Sequence, residues 1–351
     1  MKTPRENLLA AVNRNNPEKV PIHLTLCPSQ IESFKARFGH DDYQSWFNVP
    51  VREVGLTLVP RFSEGVKLYD RETLPPETRI DVWGVAHSKG SKEAQHMTRM
   101  HHPLKGPRTL KEIEQYPLPE LADNELTRYP KAIREIQQKG LAAKTTMACT
   151  VWEVAWYIRS MDDLFVDMAQ DDPNAEILFE RITELSCRRA AMIARGGADI
   201  LGLGDDIGMQ HSIMMSVPMW EKWIKGRLAR IIAAAKKENP EIRIWYHSCG
   251  YIIPFIEGLI EAGVEILNPV QPEAMSFEEV YKIARGRLSF WGTVGTQTTM
   301  PFGTPEDVRR AVRSVIHHCG ARGGIVIAPT HLVEPEVPWE NLLAMKEEAE
   351  R

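Results

Sequence analysis

The sequence has little of what marks membrane-spanning, secreted or nucleic-acid-binding proteins. No apolar run approaches the roughly 20 residues that span a bilayer, and the first residues open a short amphipathic segment rather than a signal peptide. The five cysteines are odd in number and widely scattered, so they predict no disulfide framework and favour a reducing cytoplasm. The formal net charge of −4 lacks the basic excess expected for binding nucleic acid or an anionic membrane.

The sequence also lacks a dinucleotide-binding turn. No Gly-x-Gly-x-x-Gly follows the first predicted strand at residues 20–26, which disfavours a dinucleotide-binding sheet. In the second half of the chain, short apolar segments instead alternate with helical patterns. The apolar segments lie at 142–148, 198–204, 242–246, 264–268, 288–292 and 324–328. At least five consecutive βα units indicate a parallel sheet.

In a chain of 351 residues, these repeated βα units predict an α/β fold, namely a (β/α)8 TIM-type barrel. We expect the barrel to form a single domain over residues 1–351. Residues from about 30 to 135 are less regular and rich in proline and charge. We expect them to form an N-terminal elaboration over one end of the barrel, with 81–87 and 96–100 as a hairpin. Active sites of such barrels lie on the loops after the strands.

One pair of residues at a strand end predicts a metal site. His247 and Cys249 follow the segment 242–246, and side chains two residues apart on an extended chain point the same way. Imidazole and thiolate are ligands of tetrahedral zinc, and His331, after the last strand, would complete three ligands with an open fourth position. The alternative is that His331 caps a loop and that Cys249 is a buried small apolar residue.

Polar residues follow the other strands as well. Glu153, Asp205 and Asp206 are candidates for a fourth ligand, for orienting a ligand, or for general acid–base catalysis. Alternatively, Glu153 stabilises its helix start through the dipole, and the two aspartates form a cap and turn. Five further residues are predicted to bind substrate, although core packing explains the aromatic ones equally well: Trp152, Tyr246, Asn268, Gln271 and Gln297.

Several separate motifs, in order, resemble a known family. They are Tyr-His-Ser-Cys-Gly-Tyr-Ile at 246–252, Gly-Val-Glu-Ile-Leu-Asn-Pro-Val-Gln at 263–271, Phe-Trp-Gly-Thr-Val-Gly-Thr-Gln at 290–297, Ala-Pro-Thr-His at 328–331 and Val-Pro-Trp-Glu-Asn at 337–341. From about residue 140 to 345 the chain resembles the uroporphyrinogen decarboxylase superfamily, and within it the zinc- and corrinoid-dependent methyltransferase branch. The decarboxylases carry an arginine-rich N-terminal motif, whereas residues 20–27 contain no arginine pair, which argues against porphyrinogen decarboxylation.

The resemblance implies a zinc-dependent methyltransferase. Relatives that methylate coenzyme M bind zinc through His-x-Cys and a later Cys, and His331 stands at that later position. Imidazole in place of thiolate makes the metal a stronger Lewis acid, which favours an oxygen-bearing substrate. We therefore expect methyl transfer from a small methylated substrate, an aryl methyl ether (O-demethylation), to the cob(I)alamin of a corrinoid protein. A separate partner is expected because the chain lacks an Asp-x-His-x-x-Gly cobalamin motif.

Other interpretations of the sequence stay open. One is the second half-reaction, in which a methylcorrinoid methylates a thiol or tetrahydrofolate. Another is a metal-free decarboxylase that resembles uroporphyrinogen decarboxylase, and a non-enzymatic binding barrel is less favoured. No nucleic-acid or membrane partner is expected. The sequence leaves open the methyl donor, the direction of transfer, the fourth zinc ligand and the oligomeric state, with a homodimer among the options.

Overall fold

The computed structural model describes residues 1–62, 68–69, 74–90, 98–320 and 322–351. Within these ranges the α-helices are α1 (Pro4–Val12), α2 (Pro28–Phe38), α3 (Tyr43–Trp46), α4 (Leu110–Gln115), α5 (Glu125–Gln138), α6 (Trp152–Arg159), α7 (Met161–Ala169), α8 (Pro173–Arg195), α9 (Val217–Trp220), α10 (Gly226–Glu238), α11 (Ile256–Ala262), α12 (Phe277–Ala284), α13 (Thr299–Phe302), α14 (Pro305–Cys319) and α15 (Trp339–Glu350). A π-helical turn, Glu221–Lys225, joins α9 to α10, and a 3-10 turn, Ile253–Phe255, precedes α11.

The strands in the same ranges are β1 (Val51–Glu53), β2 (Leu58–Val59), β3 (Arg79–Ile80), β4 (Ala86–Lys89), β5 (Thr98–His101), β6 (Glu120–Leu121), β7 (Ala142–Ala148), β8 (Ile200–Gly204), β9 (Arg243–His247), β10 (Ile266–Asn268), β11 (Ser289–Trp291) and β12 (Ile325–Val326). Seven of them form a curled parallel sheet in the order β1-β7-β8-β9-β10-β11-β12. Beside β12, Ile22 and Leu26 make parallel bridges to Ile327 and Val333, so the segment 20–26 extends the sheet. The predicted (β/α)8 TIM-type barrel is confirmed.

Two strands of the barrel, β8 and β10, are almost entirely apolar, since both of their faces are covered. Every residue of β8 and of β10 is buried, as expected for parallel strands with helices outside and side chains inside. Some of the outer helices have N-terminal caps and buried apolar stripes. For example, α14 begins with a capping box between Thr304 and Asp307 and buries a stripe that includes Val308 and Val312. Each of the predicted strands from 142 to 328 overlaps a strand of the barrel.

The region from about 30 to 135 contributes more than a cover. It contains a three-stranded antiparallel sheet, β3-β4-β5, and the short pair β2-β6. The predicted hairpin corresponds to the pairing of β4 with β5, although His96 lies outside the described residues. This region also supplies β1 to the barrel, where Val51 pairs with Ala142. The elaboration expected from the sequence therefore includes one strand of the barrel wall.

An ion pair stabilises the end of the barrel at which the strands begin. Arg5 on α1 donates to both carboxylate oxygens of Asp199, with a shortest distance of 2.7 Å, just before β8 begins. The same carboxylate accepts the backbone N–H of Ala143 at 2.9 Å. This contact ties the N-terminal helix to two barrel strands. Among the described helices, none combines the length and apolar character that crossing a membrane requires.

Candidate metal centre and active site

His247 lies at the end of β9, and the neighbouring strand fixes its ring. Nδ1 lies 2.6 Å from Oδ1 of Asn268 at the end of β10. Asn268 Nδ2 donates to the backbone oxygen of Trp291 at 2.6 Å, which determines the side of the amide that carries the oxygen. By this hydrogen-bond network, Nδ1 of His247 carries the proton and Nε2 keeps a free lone pair. Metal-binding histidines are commonly held in this way.

Two possible ligand atoms approach Nε2 of His247, which is the third. Cys249 Sγ lies 3.4 Å from His247 Nε2, and Asp206 Oδ1 lies 3.7 Å from it. The ligand atoms of the three residues lie within 4.8 Å of one another, and no other such trio occurs among the described residues. Nitrogen, sulfur and carboxylate oxygen are all ligands of zinc. The trio of Asp206, His247 and Cys249 therefore fits a zinc ion.

Burial shifts the pKa values of two residues of the trio, Cys249 and His247. Burial raises the pKa of the Cys249 thiol to about 12, and the nearby charges of Asp206 and Glu153 act in the same direction. Burial also lowers the pKa of His247, against the opposing effect of Asp206. A metal ion binds the thiolate and the neutral imidazole and compensates the carboxylate charge. The protonation chemistry of these residues is thus compatible with a metal ligand set.

The loops after β8 and β9 pack against each other at Gly250. Cys249 N donates to Asp206 Oδ1 at 2.8 Å, and Tyr251 N donates to Met209 O at 2.7 Å. Gly250 has φ of +81°, and a Cβ atom there would lie 2.5 Å from Met209 O. Only glycine combines this backbone conformation with so close an approach. The glycine of the His-Ser-Cys-Gly motif therefore lets Cys249 lie beside Asp206.

His331 lies after β12 on the rim of the barrel and is exposed. The centroids of the His331 and His247 rings are 6.4 Å apart. His331 is not part of the trio, in which Asp206 is the third residue beside the histidine–cysteine pair. Zinc coordination by His331 stays a prediction.

Asp205 follows β8, and its carboxylate lies at the start of α6, the helix that follows β7. It is buried, and its carboxylate accepts the backbone N–H of Val151 at 3.0 Å and of Glu153 at 3.0 Å, at the beginning of α6. Burial, together with the charge of Glu153, raises the pKa of Asp205 to about 8. The carboxylate thus anchors α6 and positions Glu153.

Glu153 connects α6 to the trio. Its Oε2 accepts the backbone N–H of Asp206 at 3.2 Å, and its Oε1 accepts the hydroxyl of Tyr157 at 2.9 Å. Burial raises the pKa of Glu153, and the charge of Asp206 adds to the effect. A buried carboxyl group that holds its proton more tightly than usual is a candidate general acid. The sequence indicated this residue, and the structure places it beside the trio.

Two cavities meet at the candidate centre. An inner cavity of about 210 Å3 extends into the barrel, and His247, Asn268 and His331 contribute to its lining. A rim cavity of about 330 Å3 is lined by Cys249, His331 and the predicted substrate residues Gln271 and Gln297. Gln297 also exchanges two side-chain hydrogen bonds with Gln210, at 2.9 and 3.0 Å. Three of the five predicted substrate-binding residues therefore face a cavity beside the trio.

The other two predicted substrate-binding residues lie in the core. Trp152 and Tyr246 have no exposed surface. Trp152 packs on Phe165, with ring centroids 4.9 Å apart, and the hydroxyl of Tyr246 donates to the backbone oxygen of Asp205 at 3.3 Å. Neither residue lines the inner or the rim cavity. Their role in binding substrate stays a prediction.

Three other polar residues of the inner cavity were not indicated by the sequence interpretation: Lys144, Glu53 and His23. Lys144 on β7 lies 2.9 Å from Glu53 on β1, and its ammonium group lies 3.8 Å from the ring centroid of Trp245. His23 also lines the cavity, and burial lowers its pKa to about 3, so the ring is neutral. A lysine within the apolar segment 142–148 was the available signal. No signal indicated Glu53, which lies in the supposed elaboration.

The comparisons with known proteins agree with this architecture. The uroporphyrinogen decarboxylase (URO-D) family model matches residues 95–351. The chain belongs to this family. No curated protein matches the sequence. Among solved structures, a methyltransferase from Methanosarcina mazei is similar to this member of the family with a TM-score of 0.70 and 17% identity, covering 99% of this chain and 98% of that chain.

Two other structural similarities are weaker. A psychrophilic glycoside hydrolase family 10 endo-β-1,4-xylanase has a TM-score of 0.39 and 10% identity, over 62% of this chain and 79% of that chain. A candidate vitamin-B12-independent methionine synthase from Listeria monocytogenes has a TM-score of 0.42 and 13% identity, over 63% of this chain and 67% of that chain.

Proposed function

We propose that this URO-D family member is a zinc-dependent methyltransferase. It would transfer a methyl group from a small methylated substrate to the cob(I)alamin of a separate corrinoid protein. The substrate class that we propose is the aryl methyl ethers. The observation that carries the proposal is the trio of Asp206, His247 and Cys249, in which Asn268 directs the free nitrogen of His247 toward the sulfur and the carboxylate. The fold shared with the Methanosarcina mazei methyltransferase supports the same interpretation.

The metal would be held by His247 and Cys249, together with His331, as the sequence predicts, or Asp206, as its proximity suggests. Bound zinc supplies a Lewis acid for the oxygen from which the methyl group departs. That oxygen keeps the electron pair of the broken carbon–oxygen bond and requires one proton. We assign its delivery to Glu153, because burial raises the pKa of this carboxyl group and Asp206 connects it to the trio.

A partner that carries the corrinoid would approach the rim cavity. Two large apolar side chains are exposed on segments that follow barrel strands. Met209, after β8, lines the rim cavity and is 53% exposed, and Phe302, at the end of α13 and outside the lining of that cavity, is 78% exposed. Exposed apolar side chains are typical of protein-binding surfaces. A corrinoid protein docked there would bring its cofactor to the outer side of the trio.

The family match makes decarboxylation the second candidate. A tetrapyrrole with several carboxylates needs free cationic groups at its binding site. In the inner cavity, the ammonium group of Lys144 is already paired with Glu53 and covered by Trp245. Residues 20–27, where the decarboxylases carry arginines, contain none. These observations favour methyl transfer over decarboxylation.

Metal content and methyl transfer test the proposal together. We expect roughly one zinc per chain by elemental analysis and a marked loss of zinc in His247→Ala. The exposed residue His317 on α14 offers the matched control His317→Ala, which should retain the metal. In anaerobic mixtures of the zinc-loaded protein with a cob(I)alamin-bearing corrinoid protein, methoxyarenes should convert the cobalt spectrum to that of methylcobalamin.

Three results would overturn this proposal. The first is absence of zinc, and the second is full zinc retention in His247→Ala. The third is that no methoxyarene is demethylated although a thiol or tetrahydrofolate demethylates methylcobalamin, which would transfer the assignment to the second half-reaction. Methylamines and methylthiols, added to the same assay in place of the methoxyarenes, test which class of compound donates the methyl group.

A further inference from the structure

The inner cavity contains a carboxylate that the proposed reaction does not use. Glu53, at the end of β1, has a 54% exposed side chain, and it lines the same cavity as His247. Its Oε1 accepts from Lys144 Nζ at 2.9 Å and from Thr146 Oγ1 at 2.9 Å. Among the described residues, no hydrogen bond reaches Oε2. One oxygen of a fixed carboxylate is therefore free to accept a hydrogen bond from a ligand.

Lys144 holds this carboxylate in place and in its charged form. The lysine is only 3% exposed, and its ammonium group is confined between Glu53 and the indole of Trp245, 3.8 Å from the ring centroid. Burial opposes ionisation of Glu53, but the charge and hydrogen bond of Lys144 outweigh it and lower the pKa of the glutamate. Glu53 is therefore an acceptor only, and a ligand beside it must supply a donor.

The walls between Glu53 and the candidate metal centre are aromatic. Trp245 and Trp291 both line the inner cavity. The Trp245 ring is nearly parallel to that of His247, at 24° and 5.8 Å between centroids. Apolar walls favour an apolar ligand, and about 210 Å3 is below the range of about 300–1,000 Å3 typical of pockets for drug-sized ligands. The space fits a single substituted ring.

We propose that the inner cavity selects aromatic methyl ethers that also carry a phenolic hydroxyl group, and that this hydroxyl donates a hydrogen bond to Oε2 of Glu53. This inference rests on the proposed function and names the substrate class of the same site. A ring without a donor would leave the carboxylate oxygen desolvated and unpaired, which is costly. A site built around a substrate hydroxyl discriminates strongly against the analogue that lacks it.

Binding without methyl transfer tests the inference. The zinc-loaded protein, with no corrinoid present, is titrated with 2-, 3- and 4-methoxyphenol and with methoxybenzene, and the affinities are measured by calorimetry and by quenching of tryptophan fluorescence. We expect at least one methoxyphenol to bind at least about 10-fold more tightly than methoxybenzene, the size expected for a hydrogen bond to a charged acceptor. Equal affinities for all four compounds, or no binding of any methoxyphenol, would overturn the inference.

Variants assign the preference to Glu53. Glu53→Gln should reduce the preference for the hydroxyl to within about 3-fold and leave methoxybenzene binding unchanged, because a neutral amide is a weaker acceptor. If this variant does not fold beside the buried lysine, the double variant Glu53→Gln/Lys144→Met removes both charges and should give the same loss. Glu241→Gln, at an exposed carboxylate before β9, is the matched control. A full preference in the Glu53 variants would contradict the role of Glu53.

The two proposals fail in distinguishable ways. If methoxyphenols bind with the expected preference and no methyl group reaches cob(I)alamin, the cavity assignment stands and the reaction is wrong. If methyl transfer occurs equally well from methoxybenzene and from methoxyphenols, the reaction stands and the role of Glu53 is wrong.

Discussion

The unprotonated Nε2 of His247 faces Cys249 and Asp206 because Nδ1–H donates a hydrogen bond to Oδ1 of Asn268 at 2.6 Å. The amide is itself held by its bond to the backbone oxygen of Trp291. Without that support the imidazole could adopt the other tautomer and rotate, and the nitrogen that faces the sulfur would no longer be a ligand. At the scale of single residues, the candidate centre therefore depends on a side chain that would not contact the metal.

We expect Asn268→Ala to weaken zinc binding by about 10- to 100-fold, the range found when a residue that orients a metal-binding histidine is removed. Competition with a chromogenic chelator measures the affinity. Asn124→Ala removes an exposed asparagine whose side chain makes no capping bond, and it should leave the affinity unchanged. An Asn268→Ala protein that is folded and binds zinc as tightly as the parent would contradict this role.

At the scale of elements, the site is built by two loops that touch. The loop after β8 carries Asp206 and the loop after β9 carries Cys249, and the backbone bond from Tyr251 N to Met209 O joins them. Gly250 makes that approach possible, because a Cβ atom would collide with the Met209 oxygen. The donor atoms of two neighbouring βα units are thus brought together by main-chain contact.

Gly250→Ala should lower both the free energy of unfolding, by about 1–3 kcal/mol, and the zinc content. Gly286→Ala is the matched comparison, because Gly286 has a similar φ of +75° but no atom within 4 Å of the position that a Cβ would occupy. It should cost about 1 kcal/mol and keep the metal. Urea unfolding and elemental analysis measure the two effects. Equal behaviour of the two variants would show that backbone strain alone, and not the collision with Met209, explains the result.

At the scale of the whole molecule, the two ends of the barrel have different tasks. The ends of the strands at His247 and Asn268 carry the trio and the cavities, whereas the opposite end carries the ion pair of Arg5 with Asp199. This division is common to TIM barrels, in which the carboxyl ends of the strands carry chemistry and the other end carries stability. Substitutions at the two ends should therefore affect different measurements.

Asp199→Ala should lower the free energy of unfolding by about 1–3 kcal/mol, because it leaves the N–H of Ala143 unpaired in the barrel wall and removes the partner of Arg5. The zinc stoichiometry of the folded protein should not change. His247→Ala should show the reverse pattern, with loss of metal and a smaller effect on the stability of the metal-free protein. Chemical denaturation in the presence of a chelator, together with metal analysis, separates the two. Loss of zinc in Asp199→Ala would contradict the division.

Much of the fold could be predicted from the sequence because its signals are local. Apolar segments such as 142–148 and 198–204, each followed by a helical period, are sufficient to indicate β7, β8 and their helices. The strand β1 was missed because Val51–Glu53 has only three residues, and two of them are charged. Its place in the barrel depends on pairing with β7, a contact almost a hundred residues away along the chain.

The amino-acid sequence by itself determined the alternation of strands and helices and the location of the strand ends at one end of the barrel. It also determined that His247 and Cys249 point the same way, because they are two residues apart at a strand end. Only the tertiary structure decided that Asp206 completes the trio, that Trp152 is buried, and that Glu53 faces the same cavity as His247. The reason is physical. Direction along one strand follows from local backbone geometry, whereas proximity between strands and the burial of a side chain follow from how the whole sheet curls and packs.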